Sequence, residues 1–159
     1  MGKVLLVNHL RCVGCGTCEV VCSLVHEGIC SPVLSRIRIV RHEKKGYHIP
    51  ITCASCEKAP CIEACPMEAI QKDKETGGVI LHQDQCIGCK QCIQSCPFGH
   101  INFNFEKGTA FKCDLCQGDP QCVKFCWTQA ISFTSLDAAI DAKRQTFADR
   151  IMKELKQET

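Results

Sequence analysis

Residues 86–97 read Cys86-Ile87-Gly88-Cys89-Lys90-Gln91-Cys92-Ile93-Gln94-Ser95-Cys96-Pro97, a C-x2-C-x2-C-x3-C-P run. This spacing lets one tight loop present three thiolates to three corners of an iron–sulfur cube, while the cysteine before proline serves a second cube. One such run therefore calls for a partner, and the chain offers three.

Run one is Cys12, Cys15, Cys18 and Cys22, and run two is Cys53, Cys56, Cys61 and Cys65, followed by Pro66. Run three is the stretch above. Run four is Cys113, Cys116, Cys122 and Cys126, followed by Trp127. Of 17 cysteines in 159 residues, only Cys30 falls outside these runs, and it reads as a plain thiol. Such cysteine density suits a secreted disulfide scaffold. However, the odd count and the short apolar run after Met1 argue against secretion and for metal-bound thiolates in a reducing cytoplasm. No apolar stretch is long enough for a membrane span.

Aromatic residues make up 6% of the chain, a thin supply for a core of this size, so metals are expected to complete it. The formal charge of +2 counts cysteines as neutral. With four oxidised clusters and their thiolates included, the charge becomes about −6. Nothing in that balance supports nucleic-acid binding.

Short strands are expected at Val4–Val7, Ile37–Arg41, His48–Ile51, Val79–Leu81, Ile101–Phe105 and Thr109–Phe111. The second and third form a hairpin about Lys44-Lys45-Gly46. Runs two, three and four end in similar words, Cys65-Pro66-Met67-Glu68-Ala69-Ile70, Cys96-Pro97-Phe98-Gly99-His100-Ile101 and Cys126-Trp127-Thr128-Gln129-Ala130-Ile131. Each ending is expected to make a helical turn leading into a strand. From Ser135 to Gln157 there is no Cys, Gly or Pro, and Leu136, Ile140, Phe147, Ile151 and Leu155 largely suit one helical face. Thr134 with Asp137 has capping-box spacing. This tail packs on its own domain or docks on another subunit.

The pairing of runs follows from spacing. Runs two and three both end in Cys-Pro and lie close in sequence, which defines an inner ferredoxin-like unit, residues 50–105. Runs one and four flank it and pair in an outer unit, residues 1–49 and 106–134, with a helix over 135–159. One cube takes Cys53, Cys56, Cys61 and Cys96, and its neighbour Cys86, Cys89, Cys92 and Cys65. A third takes Cys12, Cys15, Cys18 and Cys126, and the fourth Cys113, Cys116, Cys122 and Cys22. Gly14, Gly16 and Gly88 would let backbone N–H groups approach the cubes, and Val13, Ile87, Ile93 and Val123 would keep water off them. Zinc is the competing metal, but its sites use separated C-x2-C pairs closing one tetrahedron.

These four runs, from Cys12 to Cys126, resemble the four-cluster iron–sulfur subunits of the formate dehydrogenase and dimethyl sulfoxide reductase type. The resemblance implies an α+β fold of two nested βαββαβ ferredoxin-like units holding four [4Fe-4S] clusters. It also implies ligand exchange between runs one and four and between runs two and three. Trp127 and the short Cys116-to-Cys122 loop depart from the family pattern. The compact form is more similar to cytoplasmic members, including small subunits of tungsten aldehyde oxidoreductases and the ferredoxin-like partner of carbon monoxide dehydrogenase.

The function expected is non-catalytic electron transfer, because no nucleotide loop or catalytic constellation stands in the chain. The expected partner is a large catalytic oxidoreductase subunit of tungsten or molybdenum pterin type, with a flavin subunit or soluble ferredoxin as the further carrier. Formate dehydrogenase, carbon monoxide dehydrogenase or hydrogenase could replace that partner. A free polyferredoxin and a zinc-binding interaction module are the other readings. The six histidines, His9, His26, His42, His48, His82 and His100, read as surface or structural. Arg36, Arg38, Arg41, Lys44 and Lys45 read as a solvated basic face or an acidic-partner patch. Trp127 is expected to fill space beside a cube.

Overall fold

The computed structural model describes residues 3–157. Residues 1, 2, 158 and 159, at the edges of the expected units, and the side chain of Leu155 lie outside the described set. The first half contains β1 (Lys3–Val7), α1 (Thr17–Glu27), β2 (Arg38–His42), β3 (Tyr47–Ile51), α2 (Pro60–Glu63) and β4 (Ile70–Lys72). The second contains β5 (Val79–Leu81), α3 (Gln91–Ser95), β6 (Ile101–Asn104), β7 (Thr109–Lys112), α4 (Gln121–Lys124), β8 (Ile131–Ser135) and α5 (Leu136–Gln157). The fold is a small α+β one.

The strands form four two-stranded antiparallel sheets: β1 with β8, β2 with β3, β4 with β5 and β6 with β7. Val7 faces Ile131 in the first sheet, so the strand before run one closes against the strand after run four. The β2–β3 and β6–β7 hairpins straddle residues 50 and 105, where the inner unit is expected to begin and end. Among the helices, α1 packs on α4 and α2 packs on α3.

Two cores follow the same pairing. One gathers Ile70, Val79, Ile101 and Ala110 around Cys61 and Cys92, from runs two and three. The other gathers Ile37, Ile39 and Ile131 around Cys18, Cys22 and Cys122, from runs one and four. Cysteine supplies much of the buried surface in both, as the thin aromatic supply requires.

Strands follow the three run endings as expected, but the endings themselves are not helical. The helical turn precedes the last cysteine. After it the chain makes a tight turn, with Glu68, Gly99 and Gln129 each donating its N–H to the carbonyl of the cysteine three residues back. All three have positive φ, which breaks a helix and re-aims the chain into β4, β6 or β8.

The tail is the long helix α5. Its cap is Ser135, whose Oγ accepts the Ala138 N–H at 3.3 Å, and not Thr134. Thr134 is paired in β8 opposite Val4, two residues before the helix start, and Ser135 is the residue that adjoins the helix. Ala139 is buried and α5 leans on β1 and β8, while Leu136, Ile140, Phe147 and Ile151 stay exposed.

Candidate metal centres

The four runs share one local design. The residue before the second cysteine, at Gly14, Ser55, Gly88 and Leu115, has positive φ in every run. That left-handed step curls the C-x2-C loop. The third cysteine, at Cys18, Cys61, Cys92 or Cys122, is the second residue of a helix and is buried. The fourth follows four residues later, about one helical turn on, so the third and fourth can serve different neighbours. Close approach matters most at Gly88, where a Cβ would lie 2.3 Å from the Gly108 carbonyl oxygen, and at Gly14, where it would meet the His48 ring at 2.7 Å.

The cysteines gather in fours. One hollow is lined by Cys65, Cys86, Cys89 and Cys92, with Ile70, Leu81 and Ala110 beside them. A second is lined by Cys53, Cys56, Cys61 and Cys96. In both, run two and run three have exchanged their last cysteine. In runs one and four the last cysteine likewise stands near the other run's loop. Burial pushes the Cys18 thiol up to about 12, helped by Glu19 and by nearby Cys15, Cys12 and Cys126. Burial likewise raises Cys122, with Cys113, Cys116 and Cys22 beside it.

Neighbouring groups also act on one another. Cys92, pushed up to about 11 by burial, feels its own group and then Cys61. Cys113, pushed to about 11 by burial, feels Cys53, and Cys122 feels Cys18.

Backbone amides reach the sulfurs, Ser55 from within its own loop and His100 and Arg36 from outside the runs. Ser55 donates its N–H to Cys53 Sγ at 3.4 Å, His100 to Cys96 Sγ at 3.5 Å and Arg36 to Cys22 Sγ at 3.3 Å. Such bonds stabilise thiolate and tune a bound cluster. Two apolar shields behave as expected, with Ile93 and Val123 packed on the cores. Ile87 lines the hollow of Cys86 while staying 62% exposed, and Val13 is 51% exposed.

The residues fit iron–sulfur clusters by donor chemistry. Each of the two hollows presents four soft sulfur donors against a mostly apolar wall, and thiolate is the ligand such clusters take. Burial raises the thiols of Cys18, Cys92 and Cys113, so a metal bound there would have to displace their protons.

Comparison with known proteins agrees. The 4Fe-4S dicluster domain family matches residues 44–136, which hold runs two, three and four, and a 4Fe-4S binding domain matches residues 9–24 around run one. The chain belongs to the 4Fe-4S dicluster domain family. The dicluster chain is 42% identical over 122 residues to the polyferredoxin-like subunit of aliphatic sulfonate oxidoreductase from Pyrococcus furiosus, covering 77% of this chain and 70% of that one. It is 34% identical over 154 residues to the electron transport protein HydN of Escherichia coli, covering 82% and 87%. Its fold matches a chain of the benzoyl coenzyme A reductase complex BamBC at a TM-score of 0.51 and 24% identity, over 97% and 96% of the two chains. It is an electron-transfer iron–sulfur protein of the ferredoxin type.

Several residues around the dicluster sites were read differently from sequence. The basic stretch is not a solvated face. Arg36 pairs with Asp114 at 2.7 Å, Arg38 donates to the carbonyls of Pro32 and Val33, and Arg41 pairs with Glu19 at 2.5 Å. Lys44 and Lys45 remain exposed on the hairpin turn. His26 is not a plain structural histidine. Its Nε2 lies 3.4 Å from Cys116 Sγ and 3.6 Å from Asp114 Oδ1, and burial, then Arg36, holds its ring below the usual imidazole range. Trp127 stands beside Cys15, yet it is 73% exposed and fills no buried space. Cys30 is exposed and joins no group. Among the described residues no helix is long and apolar enough to cross a membrane.

Proposed function

We propose that the chain is a non-catalytic electron-transfer subunit of the formate dehydrogenase and dimethyl sulfoxide reductase type, built of two nested ferredoxin-like units that hold four [4Fe-4S] clusters. The supporting observation is the exchange of last cysteines between runs two and three, with those of runs one and four likewise near the other run's loop. In this reading the ligand sets are Cys53, Cys56, Cys61 and Cys96; Cys86, Cys89, Cys92 and Cys65; Cys12, Cys15, Cys18 and Cys126; and Cys113, Cys116, Cys122 and Cys22. Bound there, the clusters supply one-electron redox chemistry. All four cysteines of a set are spent on one cluster, so no iron is left open for substrate.

The chain's own part is to place the sets in file, from the Cys86 set to the Cys12 set, and to exclude water between them. Its partner is a large cytoplasmic oxidoreductase subunit, with a tungsten or molybdenum pterin enzyme of the aldehyde oxidoreductase kind favoured. The Pyrococcus relative, named as a subunit of an oxidoreductase, supports a partner of that class.

The test is analysis of anaerobically purified protein. About four iron and four sulfide per cluster are expected for four clusters. Zinc without sulfide would leave only an interaction module, and elution as a lone small protein would favour a free carrier. A Cys96→Ser variant should damage the cluster of Cys53, Cys56 and Cys61 before that of Cys86. Damage to the Cys86 cluster first would overturn the exchange.

A further inference from the structure

Lys112, the last residue of β7, is 2% exposed. Its ammonium donates to the carbonyl of Val79, and to that of Cys113 at 2.9 Å. Among the described residues no carboxylate pairs with it. The other buried charge, Glu19, has its arginine. A buried cation without a counter-ion is costly, and two carbonyl dipoles do not neutralise it. Something else in its surroundings must carry negative charge.

The surroundings are the cysteines. Lys112 lines the hollow of Cys53, Cys56, Cys61 and Cys96, and it adjoins Cys113, the first cysteine of the next group. Its charge acts on Cys61 and on Cys113, one in each group, and these are the groups that meet through Cys53 and Cys113. Lys112 thus sits at the crossing from the inner pair of groups to the outer pair.

We propose that Lys112 is a buried counter-charge built into this crossing, raising the reduction potentials of the Cys53 and Cys113 clusters above the values they would have without it. The inference rests on the four-cluster reading. A [4Fe-4S] cluster with four thiolates carries about −2 when oxidised and about −3 when reduced. A fixed positive charge beside it therefore favours the reduced state. At an effective dielectric of about 20, a unit charge within about 10 Å changes a one-electron equilibrium by about tenfold. The two middle clusters thereby hold the electron more readily than their ligand sets alone would allow.

The competing role is mechanical: a lysine tying β5 to β7 through two hydrogen bonds. Three variants separate the two. Lys112→Gln keeps a donor and loses the charge, Lys112→Met loses both, and Lys112→Arg keeps the charge. Anaerobic redox titration followed by electron paramagnetic resonance reads each cluster, with signals assigned through Cys53→Ser and Cys113→Ser. In the Gln and Met variants the reduced-to-oxidised ratio of the two middle clusters at fixed poise should fall about tenfold, a shift of about 59 mV for one electron. The Cys86 and Cys12 clusters should move less, and Lys112→Arg should restore the ratio. Failure of the neutral variants to load while Arg loads also supports a required charge. Unchanged ratios in a loaded Gln variant, an equal shift in all four clusters, an Arg variant shifted as far as Gln, or failure of all three to load would overturn the proposal. Absence of sulfide from the wild-type protein would instead remove the four-cluster reading itself.

Discussion

Replacing Gly88 with alanine makes two demands of the chain that can be separated. Gly88 has a φ of +71°, and an added Cβ would lie 2.3 Å from the carbonyl oxygen of Gly108. The left-handed conformation costs a residue with a Cβ about 1–2 kcal/mol. The collision adds to it, because the run-three loop and the β6–β7 turn must part by about 1 Å, an overpacking worth about 1–3 kcal/mol. Gly28 supplies the control. Its φ is +74°, but nothing lies within 4 Å of its would-be Cβ, so Gly28→Ala meets only the first demand. Each kcal/mol moves the melting temperature of a chain this size by about 2–4 °C. Gly88→Ala should therefore melt about 2–12 °C below Gly28→Ala, and it should lose iron first from the Cys86 set. Both are read anaerobically at one scan rate, by far-ultraviolet circular dichroism and iron analysis. Equal melting of the two variants would refute the close approach as the reason for glycine at position 88.

Other substitutions test other layers of the fold. Arg41→Met leaves the Glu19 carboxylate buried with its bond from the Ile39 N–H at 2.9 Å. Breaking a fully buried pair costs about 3–5 kcal/mol, and the 36% exposure of Arg41 discounts this to about 2 kcal/mol. Lys124→Met, from the exposed pair with Asp119, should leave the denaturant midpoint nearly unchanged, and a cost equal to that of Arg41→Met would sink the argument. Ser135→Ala should cost about 1 kcal/mol as the loss of a helix cap, and Thr134→Ala should leave α5 helicity unchanged; the reverse order would restore the capping box at Thr134. Anaerobic removal of iron should abolish most ordered circular dichroism, because cysteines line both cores, and a native-like metal-free spectrum would refute that dependence.

The cysteine runs could be read from the chain because their determinants are local. Three cysteines lie in one loop, the fourth stands four residues past the third, and proline or its substitute marks the exit. The strands near Val79 and Thr109 were visible for the same reason. What escaped was whatever depended on residues far along the chain. Arg36 looked solvated because Asp114, its partner, is 78 positions away, and His26 looked ordinary because Cys116 is 90 away. The left-handed steps at Ser55 and Leu115 carry no glycine to announce them; only comparison with Gly14 and Gly88 across the repeat could have found them.

Lys112 shows most clearly why the pattern of a strand underdetermines its chemistry. The strand expected over Thr109–Phe111 runs on to Lys112, and Ala110, Phe111 and Lys112 are all buried. The reason lies in position: β7 pairs with β6 on one side and packs near β5 on the other, and the chain then enters run four. A residue at that junction is enclosed by both cores whatever its polarity. Hydrophobic burial alone would place leucine or methionine there more cheaply. A lysine at the meeting of two cysteine groups is explained when the groups themselves carry the opposite charge. The polarity of that one buried position thus argues for anionic metal centres from a residue that is not itself a ligand.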